Sequence, residues 1–280
     1  MKHINIISLT QAFDTLKKEE YLNLLAYHNI EVKDAEINDL KSLITILNDR
    51  EGIKSIFNQF YVGYKIPQIA KEFDLLRFGK DSIINVELKN STTKENILKQ
   101  LKQNKYYLSF LNKKIYNYTF VEDIKKLYYL NDEVLEEVSF PVLSELLYKQ
   151  NIINVEDIDK LFNPSDYLVS PFNSTEKFIE NKYFLTQQQE LVKKQIIDRL
   201  RNNTKANFFA VIGGAGTGKT LLTYDIAKQI INEGKKVLLI HCGYLNRGHT
   251  KLNALDNWKI VPVKSYSYYN LSDYDLIIID

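Results

Sequence analysis

A glycine-rich stretch places the tightest constraint on how this chain can fold, and it reads Gly213-Gly214-Ala215-Gly216-Thr217-Gly218-Lys219-Thr220. It follows a short apolar run, Phe208–Ile212, which is typical of a buried strand, and it precedes a predicted helix. Glycines let successive backbone N–H groups turn inward around an anion, and the helix adds its positive N-terminal end. Lys219 can reach the β- and γ-phosphates of a nucleotide, and the Thr220 hydroxyl can hold Mg²⁺. The pattern predicts that this stretch binds ATP; a glycine-rich turn without a ligand is the alternative.

Length and charge bound the organisation of the chain. Its 280 residues fit about two domains, each large enough for its own core. The net charge of +2 is too small to indicate nucleic-acid binding by itself, but two segments differ sharply. Residues 89–114 carry seven lysines against one acid, Glu95, whereas residues 131–159 carry eight acids against one base, Lys149. We therefore expect one basic and one acidic surface.

Cysteine usage and hydropathy indicate a reducing compartment. Cys242 is the only cysteine, so an internal disulfide is impossible. No stretch approaches about 18 consecutive apolar residues, and the first residues lack the apolar core of a signal peptide. The four histidines are scattered and match no zinc spacing. We expect a cytoplasmic protein without a membrane partner, and the sequence does not define its oligomeric state.

A β-hairpin is predicted where the first half of the chain becomes informative. Phe73–Phe78 has the composition of one strand, Gly79–Asp81 that of a turn, and Ile83–Lys89 that of the returning strand. Alternation along the returning strand puts Glu87 and Lys89 on the same face, opposite their apolar neighbours.

The register of this hairpin decides whether a second acid joins that face. With a loop of two or four residues, Asp74 falls near Glu87; with a loop of three residues, it points to the other side. Two convergent carboxylates form a hard-oxygen site suited to Mg²⁺. The adjacent Lys89 can hold an attacking water or neutralise charge on the pentavalent phosphate. The pattern predicts metal-assisted phosphodiester cleavage with Asp74 and Glu87 as metal ligands and Lys89 as a catalytic residue.

The spacing Asp-x(12)-Glu-x-Lys resembles that of the restriction-endonuclease-like nucleases, the PD-(D/E)xK superfamily. In the helix predicted after it, the run Gln103-Asn104-Lys105-Tyr106-Tyr107 is similar to the Q-x-x-x-Y signature of the RecB-like branch. The resemblance implies a catalytic role for Gln103, although Gln100 lies on the same helix face and competes for it.

The chain departs from the superfamily pattern at two points. Pro67 lies seven residues before Asp74 instead of next to it. The further acid that the superfamily carries on an early helix has two candidates here, Glu72 and Glu51.

Two interpretations of this region stay open. Glu87 and Lys89 could be the solvated face of an ordinary hairpin with no catalytic function. The lysines of the following helix, interleaved with Tyr106 and Tyr107, suit a nucleic-acid backbone, or they simply form a solubilising helix face.

Composition divides the chain into three parts. Tyr116–Val121 and Lys126–Leu130 are predicted as further strands of a first domain, residues 1–130. Residues 131–180 are predicted to form an acidic, mostly helical linker, with the domain boundary in its turn-rich part between residues 163 and 175. Residues 181–280 form the second domain.

Motifs around the glycine-rich stretch resemble those of superfamily 1 helicases. Leu185-Thr186-x-x-Gln189, at the start of a predicted helix, is similar to their glutamine motif, which implies contact between Gln189 and adenine. The same spacing is that of a capping box, and the two roles are compatible. The loop 243–250 follows a predicted parallel strand and corresponds to a motif that touches single-stranded nucleic acid. Arg247 and His249 are candidates for that contact, unless the loop is plain surface.

The chain ends in a strand pattern that closes with an acid. In Tyr274-Asp275-Leu276-Ile277-Ile278-Ile279-Asp280, four apolar residues lead to Asp280, whose carboxylate can hold Mg²⁺ through water. Asp275 is interpreted as the polar entry to the strand. In helicases a glutamate that activates water follows, and then a second RecA-like domain. We therefore expect a fragment that binds ATP but hydrolyses it weakly.

The order of these motifs resembles that of bacterial proteins that join an N-terminal restriction-type nuclease to a Schlafen-like superfamily 1 DNA/RNA helicase domain. The resemblance implies an α/β fold: a restriction-endonuclease-like α/β domain followed by an incomplete RecA-like P-loop domain. It also implies a Mg²⁺- and ATP-dependent enzyme in antiphage defence that acts on DNA, with RNA as the alternative substrate. Two alternatives are an ATP-gated nucleic-acid-binding module with an inactive nuclease fold and a P-loop signalling ATPase without nucleic acid.

Overall fold

Alternating strands and amphipathic helices build two units, Met1–Asp166 (unit 1) and Tyr167–Asp280 (unit 2). The computed structural model describes residues 1–51, 54–67, 69, 71–202 and 206–280, apart from the side chains of residues 49–51, 164, 165 and 187. The side chain of Glu51, one of the two candidates for the further acid, therefore lies outside the described residues. The division between the units falls inside the turn-rich stretch of the sequence.

Unit 1 combines an antiparallel-rich sheet with packed helices. Its helices are α1 (Ile6–Thr15), α2 (Lys18–His28), α3 (Asp34–Glu51), α4 (Lys94–Ser109) and α5 (Phe140–Lys149), with 3₁₀ turns at Lys54–Phe57 and Ile158–Leu161. The short helix α6 (Pro164–Tyr167) includes the division between the two units. Its strands are β1 (Tyr61–Lys65), β2 (Glu72–Phe78), β3 (Ser82–Lys89), β4 (Lys114–Val121), β5 (Lys126–Asn131) and β6 (Val134–Val138). In the described residues these strands form one sheet in chain order, β1 to β6, with antiparallel pairing except for the parallel pair β3–β4.

The β2–β3 hairpin closes through a short turn. Phe78 pairs with Ile83, and the N–H of Gly79 donates to the carbonyl of Ser82 at 2.7 Å. Lys80 and Asp81 are thus the two turn residues, which is one of the loop lengths that place Asp74 on the face of Glu87. Leu75 lies opposite Val86, and the same register places Asp74 opposite Glu87.

The two faces of this sheet are covered by different helices. Alternation along β4 sends Phe120 into the main core, which α1, α3 and α5 complete, and sends Val121 into a smaller cluster beneath α4. Helix α4 is also the connection between the parallel strands β3 and β4, as parallel pairing requires a crossover. Glu87 and Lys89 lie on the α4 face, because their neighbours Val86 and Leu88 belong to the main core.

The segment 131–180 is predicted to be a helical linker, but in the structure its first part belongs to the sheet and the core of unit 1. Val134–Val138 is a strand that pairs with β5 across a two-residue turn at Asp132, where φ is +49°. Helix α5 buries Leu143 and Leu147 in the main core of unit 1. Glu136 and Glu137 are both exposed on β6, an edge strand of the described sheet, so acidic residues are compatible with membership of the sheet.

Unit 2 is a parallel α/β arrangement. Its helices are α7 (Thr175–Ile179), α8 (Gln187–Asn202), α9 (Lys219–Asn232) and α10 (Arg247–Asn253), and its strands are β7 (Val237–His241), β8 (Ile260–Pro262) and β9 (Leu276–Ile279), with 3₁₀ turns at Val263–Tyr268 and Leu271–Asp273. The described strands lie in the order β8-β7-β9, all parallel. This mixed architecture with a parallel sheet is consistent with a P-loop domain.

The segment Phe208–Ile212 is not the buried strand that its apolar composition predicted. No strand is assigned to it, and Phe208 and Ile212 are 95% and 93% exposed. Phe209 and Val211 pack against the core of unit 2, so only alternate residues are covered. A continuous apolar run is typical of a strand whose two faces are both covered. In the segment 208–212, no described element covers the face that carries Phe208 and Ile212.

Hydropathy adds one further structural fact. Within the described ranges of the chain, none of the helices combines the length and the apolar content that crossing a bilayer requires.

Candidate functional site

The glycine-rich loop of unit 2 leads directly into α9. Gly216 and Gly218 both have φ of +75°, a left-handed conformation that side chains other than glycine rarely adopt, and Lys219 begins the helix. The Lys219 ammonium donates to the carbonyl of Gly213 at 2.9 Å and to that of Gly214 at 2.7 Å. The cation is therefore held over the loop, where phosphate oxygens can replace these carbonyls.

Thr220 and Asp280 meet at the other side of the loop. The Thr220 hydroxyl donates to Asp280 Oδ1 at 2.9 Å, although the two residues are far apart in sequence. Asp280 follows β9, and its N–H donates to the Ile240 carbonyl at 3.0 Å, which fixes the end of the strand beside β7. A hydroxyl and a carboxylate beside a phosphate-binding loop are the oxygen ligands that Mg²⁺ prefers, so this pair fits the predicted role.

Gln189 contacts the same loop from α8. Its side-chain Oε1 accepts from the Thr186 N–H at 2.9 Å, and its own N–H donates to the Thr186 hydroxyl at 3.2 Å, which completes a capping box. Its Nε2 donates to the Thr217 carbonyl at 3.0 Å. A Cβ atom added to Gly218 would lie 2.5 Å from this Nε2, so a larger residue at position 218 would displace the Gln189 amide from the loop. Adenine recognition by Gln189 stays a prediction.

The segment 243–250, which follows β7, is not a plain surface loop, because a helix begins within it. Asn246 caps α10 by accepting from the N–H groups of Gly248 and His249, so the second half of the segment 243–250 is helical. His249 is only 1% exposed and stacks on Phe172, with ring centroids 4.5 Å apart. A surface contact between His249 and nucleic acid is therefore wrong, whereas Arg247 is exposed.

Burial changes the protonation of this histidine. Removal from water, and then the neighbouring His241, lower the pKa of His249 to about 4. The ring of His241 lies 4.5 Å from that of His249, and its Nδ1 lies 3.7 Å from Asp280 Oδ2. Asp275, in contrast, is structural: its Oδ2 accepts from the N–H of Lys236 at 2.8 Å, as expected for the polar entry to a strand.

Unit 1 brings Asp74, Glu87 and Lys89 together. The Lys89 ammonium lies 3.3 Å from Asp74 Oδ2 and 3.7 Å from Glu87 Oε2. Asp74 Oδ2 also accepts from the backbone N–H of Leu88 at 2.8 Å, which ties the acid of β2 to β3. Glu87 is fully buried, whereas the side chains of Asp74 and Lys89 are 19% and 30% exposed. Glu87 therefore forms the buried side of the cluster, and Asp74 and Lys89 form the side that solvent reaches.

The electrostatics of this cluster follow from burial. Loss of water, and then the negative charge of Asp74, raise the pKa of Glu87 to about 7. Burial alone would lower the pKa of Lys89, but the carboxylates of Asp74 and Glu87 outweigh it and raise that pKa. A divalent ion would favour the ionised form of both acids, and two carboxylates with hard oxygens are a chemically suitable donor set for Mg²⁺. Among the described residues no group of three or more His, Cys, Asp or Glu side chains surrounds this position.

The contacts of α4 favour Gln100, and not the predicted Gln103, as the glutamine that acts at the cluster. Gln100 Nε2 donates to Glu87 Oε2, and Asn104 Nδ2 donates to Glu87 Oε1 at 2.7 Å. Gln103 is half-buried, and it is not among the described side chains that donate to Glu87. Residues 100 and 104 are one helical turn apart, so the rotation of α4 directs that pair towards β3. A catalytic role for Gln103 is therefore not supported by its position.

Sequence reasoning missed further charged residues near this cluster. A small cleft beside it is lined by Glu36 of α3, Glu72 and Asp74, among other residues. Lys71 lies close enough to be influenced by Glu87 and Asp74, and burial lowers its pKa. Glu36 comes from a distant helix with no local signal in its sequence, so only the fold could reveal it. Glu72, one of our two candidates, has its pKa raised by burial.

The predicted basic surface is partly neutralised by an acid. Glu133, in the turn between β5 and β6, lies 2.9 Å from the ammonium of Lys102 and 3.4 Å from that of Lys105. The Lys113 ammonium donates to the carbonyls of Gly79 and Lys80 at 2.7 Å and thus stabilises the hairpin turn. The lysines of this region therefore have structural partners as well as exposed charge.

Comparison with known proteins supports the interpretation of unit 2. Residues 184–245 match the family profile described as PIF1-like helicase. This stretch includes the Gln189 capping box, the glycine-rich loop, α9 and β7. The match supports a superfamily 1 helicase region with a P-loop nucleotide site, and it suggests an ATP-dependent enzyme.

A curated protein gives a second similarity. The chain is 30% identical over 144 residues to the signal recognition particle receptor FtsY of Metamycoplasma hominis, which covers 50% of this chain and 40% of that protein. The chain thus spans less than half the length of this relative. No solved structure showed significant similarity to the chain.

Proposed function

We propose that unit 1 is a Mg²⁺-dependent nuclease and that unit 2 is the ATP-binding part of a helicase-type motor, both acting on DNA, with RNA as the alternative substrate. The observation that carries the proposal is the convergence of Asp74, Glu87 and Lys89 at one end of a hairpin. Its two-residue turn sets the register that brings the two acids to the same face. The role in antiphage defence that belongs to this proposal comes only from the resemblance of the motif order to that of bacterial nuclease–helicase fusions.

The side chains of the hairpin cluster have separate tasks in this proposal. Asp74 and Glu87 would hold Mg²⁺, which supplies Lewis-acid activation of a phosphodiester and of a water when bound. Lys89 lies between the two acids at the solvent-facing side, where its ammonium can orient a water or neutralise charge on the phosphate. Gln100 holds the second oxygen of Glu87 from α4.

Unit 2 contributes a nucleotide site. The positive φ angles of Gly216 and Gly218 shape the loop, Lys219 offers its ammonium to the phosphates, and Thr220 with Asp280 would hold Mg²⁺. The PIF1-like match over residues 184–245 supports a motor that acts on nucleic acid rather than a signalling ATPase.

A cleavage assay with matched variants tests the nuclease. We expect the chain to cut DNA in Mg²⁺ and to stop on chelation with EDTA. Asp74→Asn and Lys89→Ala should lower the rate by at least about 100-fold, because each removes a group that acts on the reacting phosphate. Lys149→Ala is the control, since Lys149 is an exposed lysine of α5 that pairs with Glu145.

The outcomes separate the alternatives. Equal rates in the wild type and the Lys89→Ala variant, or no cleavage in either, would leave an inactive nuclease fold attached to an ATP-binding unit. Cleavage of RNA but not of DNA would contradict the proposed substrate and support the proposed metal-dependent cleavage of phosphodiesters. Loss of cleavage in the Lys149→Ala control as well would remove the assignment of Lys89.

A further inference from the structure

The interface between α4 and the sheet of unit 1 contains a polar layer where an apolar one is usual. Asn85 pairs with Asn117 and Glu87 with Thr119 across the parallel strands β3 and β4. Asn104 completes the layer from α4. All five side chains are at most 2% exposed. Polar groups are normally excluded from such an interface unless they are hydrogen-bonded.

The two oxygens of Glu87 have different surroundings in this layer. Oε1 accepts from Asn104 Nδ2 at 2.7 Å and from Asn85 Nδ2 at 3.4 Å, so it points into the protein. Oε2 lies 3.7 Å from the ammonium of Lys89 and accepts from Gln100, so it points towards the cluster with Asp74. The carboxylate therefore has an inner and an outer oxygen.

The layer is not arranged for stability. Oδ1 of Asn85, Oδ1 of Asn104, Oδ1 of Asn117 and Oγ1 of Thr119 have no hydrogen-bond partner among the described protein groups. The Asn104 amide cannot be reversed to relieve this, because its oxygen would then face Glu87 Oε1. Buried acceptors without donors lower the stability of a fold. A sequence selected for stability alone would place apolar side chains here, so the amides indicate a task at the site.

We propose that Asn104 is a positioning residue: its hydrogen bond to Oε1 turns Glu87 so that Oε2 is presented beside Asp74 as a ligand for a divalent ion. The inference rests on the proposed function of unit 1. Asn104 is better placed for this task than Gln100, because it holds the inner oxygen, whereas Gln100 donates to the outer oxygen that would face the ion. Groups that orient a metal ligand without touching the metal commonly change affinity for the ion.

A titration with Mn²⁺ followed by electron paramagnetic resonance of the free ion tests the role without relying on cleavage. All proteins carry Asp280→Asn, so that binding at unit 2 does not contribute. Asn104→Leu fills the space of the amide and Asn104→Ala leaves it empty, so an effect that the two variants share comes from the lost donor. Circular dichroism confirms that each variant is folded.

Asn117→Leu is the matched control. Asn117 is equally buried in the same layer and donates to the Leu101 carbonyl of α4 at 3.2 Å, but its amide donates away from Glu87. We expect both Asn104 variants to weaken Mn²⁺ binding by about 10- to 100-fold. The Asn117→Leu variant should stay within about twofold of the parent, because it alters the layer without releasing Glu87.

Each outcome has a distinct meaning. Equal effects of the Asn104 and Asn117 variants, or no effect of either, would overturn the positioning role while Mn²⁺ binding to the parent keeps the proposed site. If the parent does not bind Mn²⁺, or binds it equally well after Asp74→Asn, then the proposed metal site is wrong. The role of Asn104 is then wrong as well.

Discussion

The hydroxyl of Thr220 donates to the carboxylate of Asp280 at 2.9 Å, which joins the first turn of α9 to the end of β9. Replacement of Thr220 by valine keeps the shape of the side chain and removes this oxygen. We expect Mg²⁺-dependent ATP binding to weaken at least about tenfold, equivalent to roughly 1.4 kcal/mol. Binding in EDTA should change less, because the loop and Lys219 are intact. A fluorescent ATP analogue reports both affinities.

Thr223→Val is the control for this measurement. Thr223 lies on the same helix, and its hydroxyl donates to the Thr220 carbonyl at 3.1 Å, so it contributes to α9 but has no oxygen at Asp280. Equal losses in the two variants, or an equal loss with and without Mg²⁺, would show that Thr220 acts only through helix stability.

A buried cation should dominate the stability of unit 1. Arg77 is 0% exposed, and its guanidinium donates to Gln150 Oε1 at 2.7 Å, to the Ile56 carbonyl at 2.5 Å and to the Leu147 carbonyl. All three of these acceptors are neutral oxygens, and they surround the charge of the guanidinium. Burial lowers the pKa of Arg77 to about 10. Arg77→Met leaves three acceptors without this donor and should cost about 2–4 kcal/mol of unfolding free energy.

Circular dichroism in urea measures this loss, and the fluorescence of Trp258 serves as the internal control. Trp258 is the single tryptophan of the chain and lies in the core of unit 2. Its transition should be unchanged in Arg77→Met. A loss below about 0.5 kcal/mol would mean that Arg77 stabilises the fold no more than a surface residue does.

The β2–β3 hairpin shows what the sequence can predict. Its strands were visible from alternation, and the position of Asp74 depended on a single unknown, the number of turn residues. The structure has two, Lys80 and Asp81, so the local pattern and the turn together place Asp74 opposite Glu87. The alternation of the strands is a local pattern and could be read without a structure, whereas the number of turn residues, on which the position of Asp74 depends, could not.

The contacts of α4 could not be predicted in the same way. Gln100, Gln103 and Tyr107 share one broad helix face, and the choice between the glutamines depends on a rotation of the helix that is set by packing. Burial of Leu101 and Leu108 against the sheet fixes that rotation and directs Gln100 to Glu87. Long-range packing also decides that Glu36 lies in the cleft beside Asp74.

Unit 2 shows the same limit in two places. His249 looked like a loop residue, but the cap formed by Asn246 starts a helix that turns its ring into the core. Phe208–Ile212 looked like a buried strand, but coverage by neighbouring elements, which composition does not reveal, leaves Phe208 exposed. Local composition indicates whether a segment is apolar or polar, but whether a side chain is buried depends on neighbours that are distant in sequence.

The protonation of His249 predicts how the stability of unit 2 depends on pH. Its pKa is lowered in the folded state to about 4, whereas the unfolded chain has the ordinary value of 6.5. Below pH 6.5 the unfolded state binds more protons, so stability is complete near pH 7 and decreases as the pH falls towards 4. The unfolding free energy should drop by about 2 kcal/mol between pH 7 and pH 5.

Urea unfolding monitored by Trp258 fluorescence measures this dependence, and His249→Gln is the comparison. Glutamine cannot titrate, so the variant should lose most of the difference between pH 7 and pH 5. If the variant and the wild type lose stability in parallel, another group in unit 2 is responsible for the acid sensitivity.

The ion pairs of Glu133 allow a test of whether nucleic acid binds to unit 1 as proposed. Glu133 lies 2.9 Å from Lys102 and 3.4 Å from Lys105, and its charge offsets part of theirs. If α4 contacts a phosphate backbone, Glu133→Gln should strengthen binding of single-stranded DNA about two- to fivefold at low salt, within the range of a surface ion pair. It should also steepen the dependence of affinity on salt, because two lysines become available to displace counterions. Fluorescence anisotropy at several salt concentrations measures both. Glu145→Gln, which frees Lys149 on α5, is the control; an equal gain in that variant would mean that net charge, and not the α4 surface, determines binding.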